Sequence, residues 1–202
     1  MASRDKMMNM KTKNIFLSAS VPLKERDPQF YETADVIAIR DSVIALASTV
    51  LSNEEYRLVW GGHPSITPLI SLVLDRYNLK MSSRVILYQS MEFEKFFPPQ
   101  NEDVGERIYT DKKSNRAESL QEMRRRMIGE NHFVAAFFIG GMEGVLDEYK
   151  TFKEFHKNVP CYPLASTGAA AEILFKEQED EFDIKLKEEL SYTFLFKDLL
   201  NL

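Results

Sequence analysis

Apolar and polar positions alternate in blocks along the 202 residues. Short continuous apolar runs are separated by longer stretches whose apolar residues recur at helical spacing. Asn14-Ile15-Phe16-Leu17-Ser18-Ala19-Ser20 begins as a buried strand and ends in small polar residues. After Val21-Pro22 and the charged loop Lys24 to Asp27, a helix is predicted within Gln29 to Leu51. Its stripe is Ala34, Ile37, Ala38, Val43, Ile44, Leu46, Ala47 and Val50. Tyr56 to Trp60 reads as a second strand, stopped by Gly61-Gly62, with a helix over Pro64 to Tyr77. Arg84 to Tyr88 is a third strand. Glu92 to Arg116 is polar, proline-containing and irregular, and predicts a loop near the site that is mobile in part. A charged helix follows over Glu118 to Ile128. Phe133 to Ile139 is the most apolar strand, with a loop and helix running to about Lys157. Cys161 to Leu164 is a short strand, followed by Thr167-Gly168 and a helix over Ala169 to Lys176.

This alternation predicts an α/β fold: Rossmann-like, doubly wound, with a mostly parallel sheet and helices on both faces. The strands are continuously apolar, as strands covered on both sides must be. Residues 1–13 read as a flexible tail and 14–176 as the domain. Residues 177–202 open on an acidic patch and end in the apolar run Tyr192 to Leu200. A helix closing its own domain is favoured there over one packing on a partner. No internal repeat or low-complexity segment interrupts the pattern.

Charge narrows the functional classes. The formal net charge is −5. Nucleic-acid binding in general needs a basic surface that displaces counterions, so that class is excluded, while a local basic pocket for one small anion is not. A single cysteine, Cys161, allows no intramolecular disulfide and fits a reducing, cytoplasmic compartment. No apolar run reaches the ~20 residues of a membrane-spanning helix, and Met1 to Lys13 lacks the apolar centre of a signal peptide. His63, His132 and His156 are scattered without metal-ligand spacing. Neither a metal nor a cofactor is expected.

Ligands of an open parallel sheet sit beyond the carboxyl ends of its strands. Four such ends carry small or glycine residues: Ser18-Ala19-Ser20, Gly61-Gly62-His63, Gly140-Gly141-Met142-Glu143-Gly144 and Ser166-Thr167-Gly168. Free N–H groups at a helix start favour an anion, and glycine lets backbone approach it closely. Any one loop is equally read as a tight turn; all four at one edge suggest a ligand cradle. Neither glycine loop is a G-x-G-x-x-G or P-loop fingerprint, and no G-x-S-x-G elbow is present. His63 fits a phosphate donor or a structural cap. Glu143, Asp147 and Glu148 complement a helix N-terminus or, functionally, one of them meets a ribose hydroxyl or assists at a glycosidic carbon. Arg124, Arg125 and Arg126 are consecutive on a helix, so at most one or two face the sheet edge.

Together these residues resemble the LOG family of cytokinin-activating phosphoribohydrolases. That family carries P-G-G-x-G-T-x-x-E, an upstream Arg-Lys helix, and an earlier strand ending in Tyr-Gly-Gly-Gly. The counterparts are Gly140-Gly141-Met142-Glu143-Gly144 with Glu148, Arg124-Arg125, and Val59-Trp60-Gly61-Gly62. Lys13 to Lys176 is still more similar to the wider SLOG superfamily, which includes LOG, DprA and the TRPM channel sensor domains. The phrases that suggest its TIR-associated branch in bacterial conflict systems are Phe16 to Pro22, Gly61-Gly62-His63-Pro64, Gly140 to Val145 and Ala165 to Ala170. The resemblance implies a nucleotide or nucleotide-derived signal of ADP-ribose or cyclic-nucleotide type as ligand. It also implies a homodimer or higher oligomer and a TIR or other effector partner in antiphage defence. Against LOG, Ile139 replaces the proline, one extra residue lies between Gly141 and Gly144, and Val145 stands for threonine. A backbone cradle survives these changes better than catalysis does. The expectation is therefore a sensor, with a nucleotide N-glycosidase using Glu148, Arg124 and Arg125 as the alternative. A deoxyribosyltransferase-like variant fits Arg26-Asp27 and Tyr31. An interaction domain with an empty pocket, working through Phe194 to Leu200, is the third reading.

Overall fold

A computed structural model describes residues 12–26 and 28–202. Of the expected N-terminal tail, residues 1–11 lie outside the described residues, as does Asp27. Lys13, its last residue, already belongs to the first strand.

A six-stranded sheet in the order β4-β3-β2-β1-β5-β6 organises the chain. Its strands are β1 (Lys13–Ser20), β2 (Tyr56–Trp60), β3 (Val85–Ser90), β4 (Glu106–Thr110), β5 (Phe133–Gly140) and β6 (Cys161–Leu164). Every neighbouring pair is parallel. Central β1 runs beside both β2 and β5. The chain builds outward from β1 to β4, then returns to β5 on the other side, which places the topological switch point between β1 and β5.

The helices are α1 (Pro28–Thr33), α2 (Val36–Leu51), α3 (Thr67–Arg76), α4 (Arg116–Gly129), α5 (Glu143–Phe155), α6 (Ala169–Glu177), α7 (Lys185–Glu188) and α8 (Tyr192–Leu200). They bury the sheet on both faces. One layer joins Leu17, Leu58 and Phe137 to Leu46 of α2, Ile70 of α3 and Phe196 of α8. The other joins Phe16, Val59 and Phe138 to Met127 of α4 and Phe152 of α5. Phe16 stacks on Phe152 at 5.2 Å between centroids and meets Phe133 edge-on at 5.5 Å, so aromatic packing fixes α5 against the central strands.

Two expectations change. The helix predicted within Gln29 to Leu51 is two helices, because Asp35 caps α2 by accepting the Ala38 amide hydrogen at 2.9 Å. The stretch Glu92 to Arg116 is not one loop: it holds two 3₁₀ turns, Met91–Phe96 and Pro99–Asp103, and then β4. At the sheet edge, β4 keeps three half-exposed residues, and its Glu106 pairs with Arg57 at 2.5 Å. Beyond α6, Phe196 meets Phe137 edge-on at 5.2 Å and is fully buried. The C-terminal helix thus supplies core to the sheet, while Phe194 on its other face is 75% exposed. No helix among the described residues is long and apolar enough to cross a membrane.

Candidate ligand site

A cavity of about 760 Å³ opens beyond the carboxyl ends of β1, β2, β3 and β5. Its volume lies in the range of small-molecule sites. Ser18, Ala19 and Ser20 line it from β1, and Gly61, Gly62 and His63 from the loop after β2. Met142, Glu143 and Gly144 line it from the start of α5, with Glu148 one turn further in. No side chain caps the α5 N-terminus, and of its first-turn N–H groups that of Val145 donates to the Met142 carbonyl at 2.9 Å.

Arg124 and Glu148 are the central charges. Both side chains are 14% exposed, and Arg124 Nε stands 3.6 Å from Glu148 Oε1. That is an ion pair without a hydrogen bond, and Nε has no other acceptor. The same guanidinium donates through Nη1 to Asp147 at 3.0 Å, so Asp147 holds Arg124 in place from the exposed side. Burial pushes the Glu148 carboxyl above the usual range, and the neighbouring Arg124 and the Ser18 hydroxyl pull partly the other way. Ser18 Oγ is buried and makes no hydrogen bond of good geometry, although it lies beside Glu148. A buried hydroxyl without a partner costs free energy unless something supplies one. Gly144 sits close under Arg124, where an added Cβ would lie 3.1 Å from Nη2.

The opposite wall carries His63 and Gln89, with Arg26 nearby. His63 Nδ1 receives the Ser65 amide at 3.2 Å and lies 2.7 Å from Ser65 Oγ. Both donors meet one nitrogen, which leaves the ring proton on Nε2. Burial, then the charge of Arg26, pushes this imidazole down to about 4, so it is uncharged at neutral pH. Gly62 has φ +63°, and an added Cβ would meet Gln89 Nε2 at 2.7 Å. Here a left-handed backbone and a crowded approach both require glycine. Gln89 Nε2 donates to the Gly62 carbonyl at 3.3 Å, and Gln89 Oε1 accepts from Asn101 at 2.6 Å, which ties the loop after β2 to the segment before β4.

The sequence-selected residues divide. Ser18, Ala19, Ser20, Gly61, Gly62, His63, Met142, Glu143, Gly144, Arg124 and Glu148 come together around the cavity. Gly140, Gly141, Ser166, Thr167, Gly168 and Arg125 do not line it. Gly140 and Gly141, at φ +54° and +86°, turn the chain out of β5, and Gly141 N–H returns to the Ser20 carbonyl at 2.8 Å. Thr167 Oγ1 is spent on the Gly140 amide at 2.8 Å and the Leu164 carbonyl at 2.6 Å. The α1–α2 junction covers this loop: Asp35 N–H meets the Thr167 carbonyl at 3.2 Å, and Ala169 N–H meets Thr33 Oγ1 at 3.0 Å. Ser166 pairs with the Tyr192 hydroxyl at 3.1 Å. Arg125 lies over Phe155 at 5.6 Å, on the side of α4 away from the cavity. Arg26, named for the deoxyribosyltransferase-like variant, and Trp60 also line the cavity, together with residues not selected, among them Gln89, Phe93, Phe96, Phe97, Arg116 and Leu120. The spacing of Arg116, Leu120 and Arg124, each four residues apart, was a readable signal for one face of α4.

The fold and the site define a doubly wound α/β protein with a ligand cavity at the switch point of its sheet. A family model described as the SLOG cluster3 family matches residues 29–200, and the chain belongs to that family. The match continues past Lys176 through the C-terminal helices. The X-ray structure of TM1055, a Northeast Structural Genomics Consortium target, is similar in fold, with a TM-score of 0.57 at 17% identity over 82% of this chain and 81% of that one. No curated protein matches the chain.

Proposed function

We propose that the cavity binds a nucleotide or nucleotide-derived signal of ADP-ribose or cyclic-nucleotide type, and that the protein works as a sensor module. The observation that carries this reading is the local charge. Among the described residues, Arg26, Arg116 and Arg124 face the cavity against Glu143 and Glu148, in a chain whose net charge is −5. Such a reversal favours an anionic ligand, and the uncapped start of α5 adds backbone donors beside Arg124. Ser18 Oγ, buried without a partner, supports a ligand oxygen in the same place. The bound state would be reported through a second copy or through an effector such as a TIR protein, a role suited to antiphage defence.

One observation favours a second reading, hydrolysis of an N-glycosidic bond. A carboxyl lifted by burial holds its proton more readily than a free one, as a general acid needs, and Glu148 is such a group beside a fixed cation. Incubation with AMP, NAD, ADP-ribose and cyclic ADP-ribose isomers, followed by melting temperature and release of free base, separates the two. Stabilisation without release is expected, because a ligand bound only to the folded state raises apparent stability. Release that disappears in Glu148→Gln establishes the enzyme instead. No stabilisation and no release across the panel overturns both.

A further inference from the structure

The proposed ligand site has a second end whose chemistry differs from the first. Arg116, Leu120, Met123 and Arg124 all line the cavity, and they form a single stripe along α4. Arg116 and Arg124 are eight positions apart, which is about 12 Å of helix. The cavity therefore has length, with a cation at each end and an apolar floor of Leu120 and Met123 between. Around Arg124 the walls are polar and close: Ser18, Glu148 and the start of α5. Around Arg116 they are aromatic. Phe93, Phe96 and Phe97 arrive from the turn after β3.

These rings are held in place by contacts of their own. The Arg116 guanidinium lies 5.0 Å from the Phe93 ring centroid. Phe97 stacks on Tyr109 of β4 at 5.8 Å with 23° between the planes. Phe96 is different, since the residue is 71% exposed although it lines the cavity. A large apolar side chain left open at the mouth of a cavity has no folding role to explain it. A flat aromatic ligand group would cover it and meet the Arg116–Phe93 pair at the same time.

We propose that Phe96, with Phe93 and Arg116, forms the subsite for a nucleobase, while the Arg124 end takes the phosphate-bearing part of the same molecule. The proposal rests on the nucleotide reading above and adds an orientation: phosphate toward α5, base toward the turn after β3. It also implies that the base contributes affinity by stacking, which is tolerant of base identity.

Binding is followed by isothermal titration calorimetry, which needs no reporter side chain. Titrations with AMP, ADP-ribose and ribose 5-phosphate are compared in the natural protein and in Phe96→Ala. The exposure of Phe96 makes that variant safe for folding, and a melting curve checks it. AMP and ADP-ribose are expected to bind about tenfold or more tighter than ribose 5-phosphate, from the worth of one stacked base. Phe96→Ala is expected to remove most of that advantage and leave ribose 5-phosphate unchanged. Equal binding of AMP and ribose 5-phosphate overturns the base subsite while the phosphate end stands. A base advantage that survives in Phe96→Ala places the base elsewhere and also overturns it. No response to any of the three removes the nucleotide reading itself.

Discussion

Replacing Glu148 with glutamine sets two opposing terms against each other. The carboxylate lies 14% exposed and 3.6 Å from Arg124. Burial disfavours its ion, Arg124 favours it, and burial is the larger effect. The folded state therefore binds this proton more readily than the unfolded chain, where the group titrates at 4.5. Stability from this group is fully present below that value and is lost as pH rises through the raised folded value. Each unit of such a rise corresponds to about 1.4 kcal/mol. Glutamine has the same shape without the charge, and Arg124 is not orphaned by the change because Asp147 still accepts from it at 3.0 Å. Above the raised value Glu148→Gln should thus be more stable than the natural protein and melt at a higher temperature. Thermal melts of both proteins between about pH 4 and about pH 8 check this, with the gap widening as pH rises. A variant that loses ground as pH rises would mean that the Arg124 pair outweighs burial, and the account of Glu148 as a strained acid would fall.

The other predictions concern the walls and the core. His63 titrates at 6.5 unfolded and about 4 folded, so its contribution, at most about 3 kcal/mol, is present above 6.5 and lost as pH falls through about 4; acid melts of His63→Asn should show a shallower loss over that window. Gly168→Ala should destabilise by about 3 kcal/mol or more, because the position has φ +68° and its Cβ would strike the Thr33 carbonyl oxygen; chemical denaturation measures it. Phe196→Ala should cost about 3–5 kcal/mol by the same measurement, since the ring is fully buried against Phe137; a near-neutral result would mean that α8 is not part of the folding unit.

The sheet was legible because its strands announce themselves. β1, β2, β3, β5 and β6 are largely apolar runs; β1, β2, β5 and β6 are followed by a small residue, a glycine or a proline-bearing turn, and β3 ends in the polar Gln89-Ser90. β4 does not behave that way. Glu106-Arg107-Ile108-Tyr109-Thr110 lies at the sheet edge with only Thr110 buried, so no apolar run marks it. Its place is held by pairing with β3 and by Arg57–Glu106, both of which depend on residues far away in sequence. The break between α1 and α2 was readable in principle, since Asp35 stands where an N-cap belongs, but the apolar stripe runs through it and hides it.

The site was legible where chemistry coincides with a strand end, and illegible where it depends on what covers that end. Ser18-Ala19-Ser20 and Ser166-Thr167-Gly168 look alike as sequence: small residues after a strand, before a helix. The first borders the cavity, whereas the second is closed over by Thr33, Asp35 and Tyr192. Nothing local distinguishes them; the difference lies in which helix junction packs on each. The same logic explains the aromatic wall. Phe93 and Arg116 are joined only because β4 returns the chain so that the turn after β3 meets the start of α4. A segment that looked irregular and polar thus supplies three phenylalanines to the cavity wall. A cradle of glycines and serines alone would suit any small anion. On the reading proposed above, a flat apolar wall one helix-stripe away from Arg124 would favour a ligand carrying a ring as well as a charge.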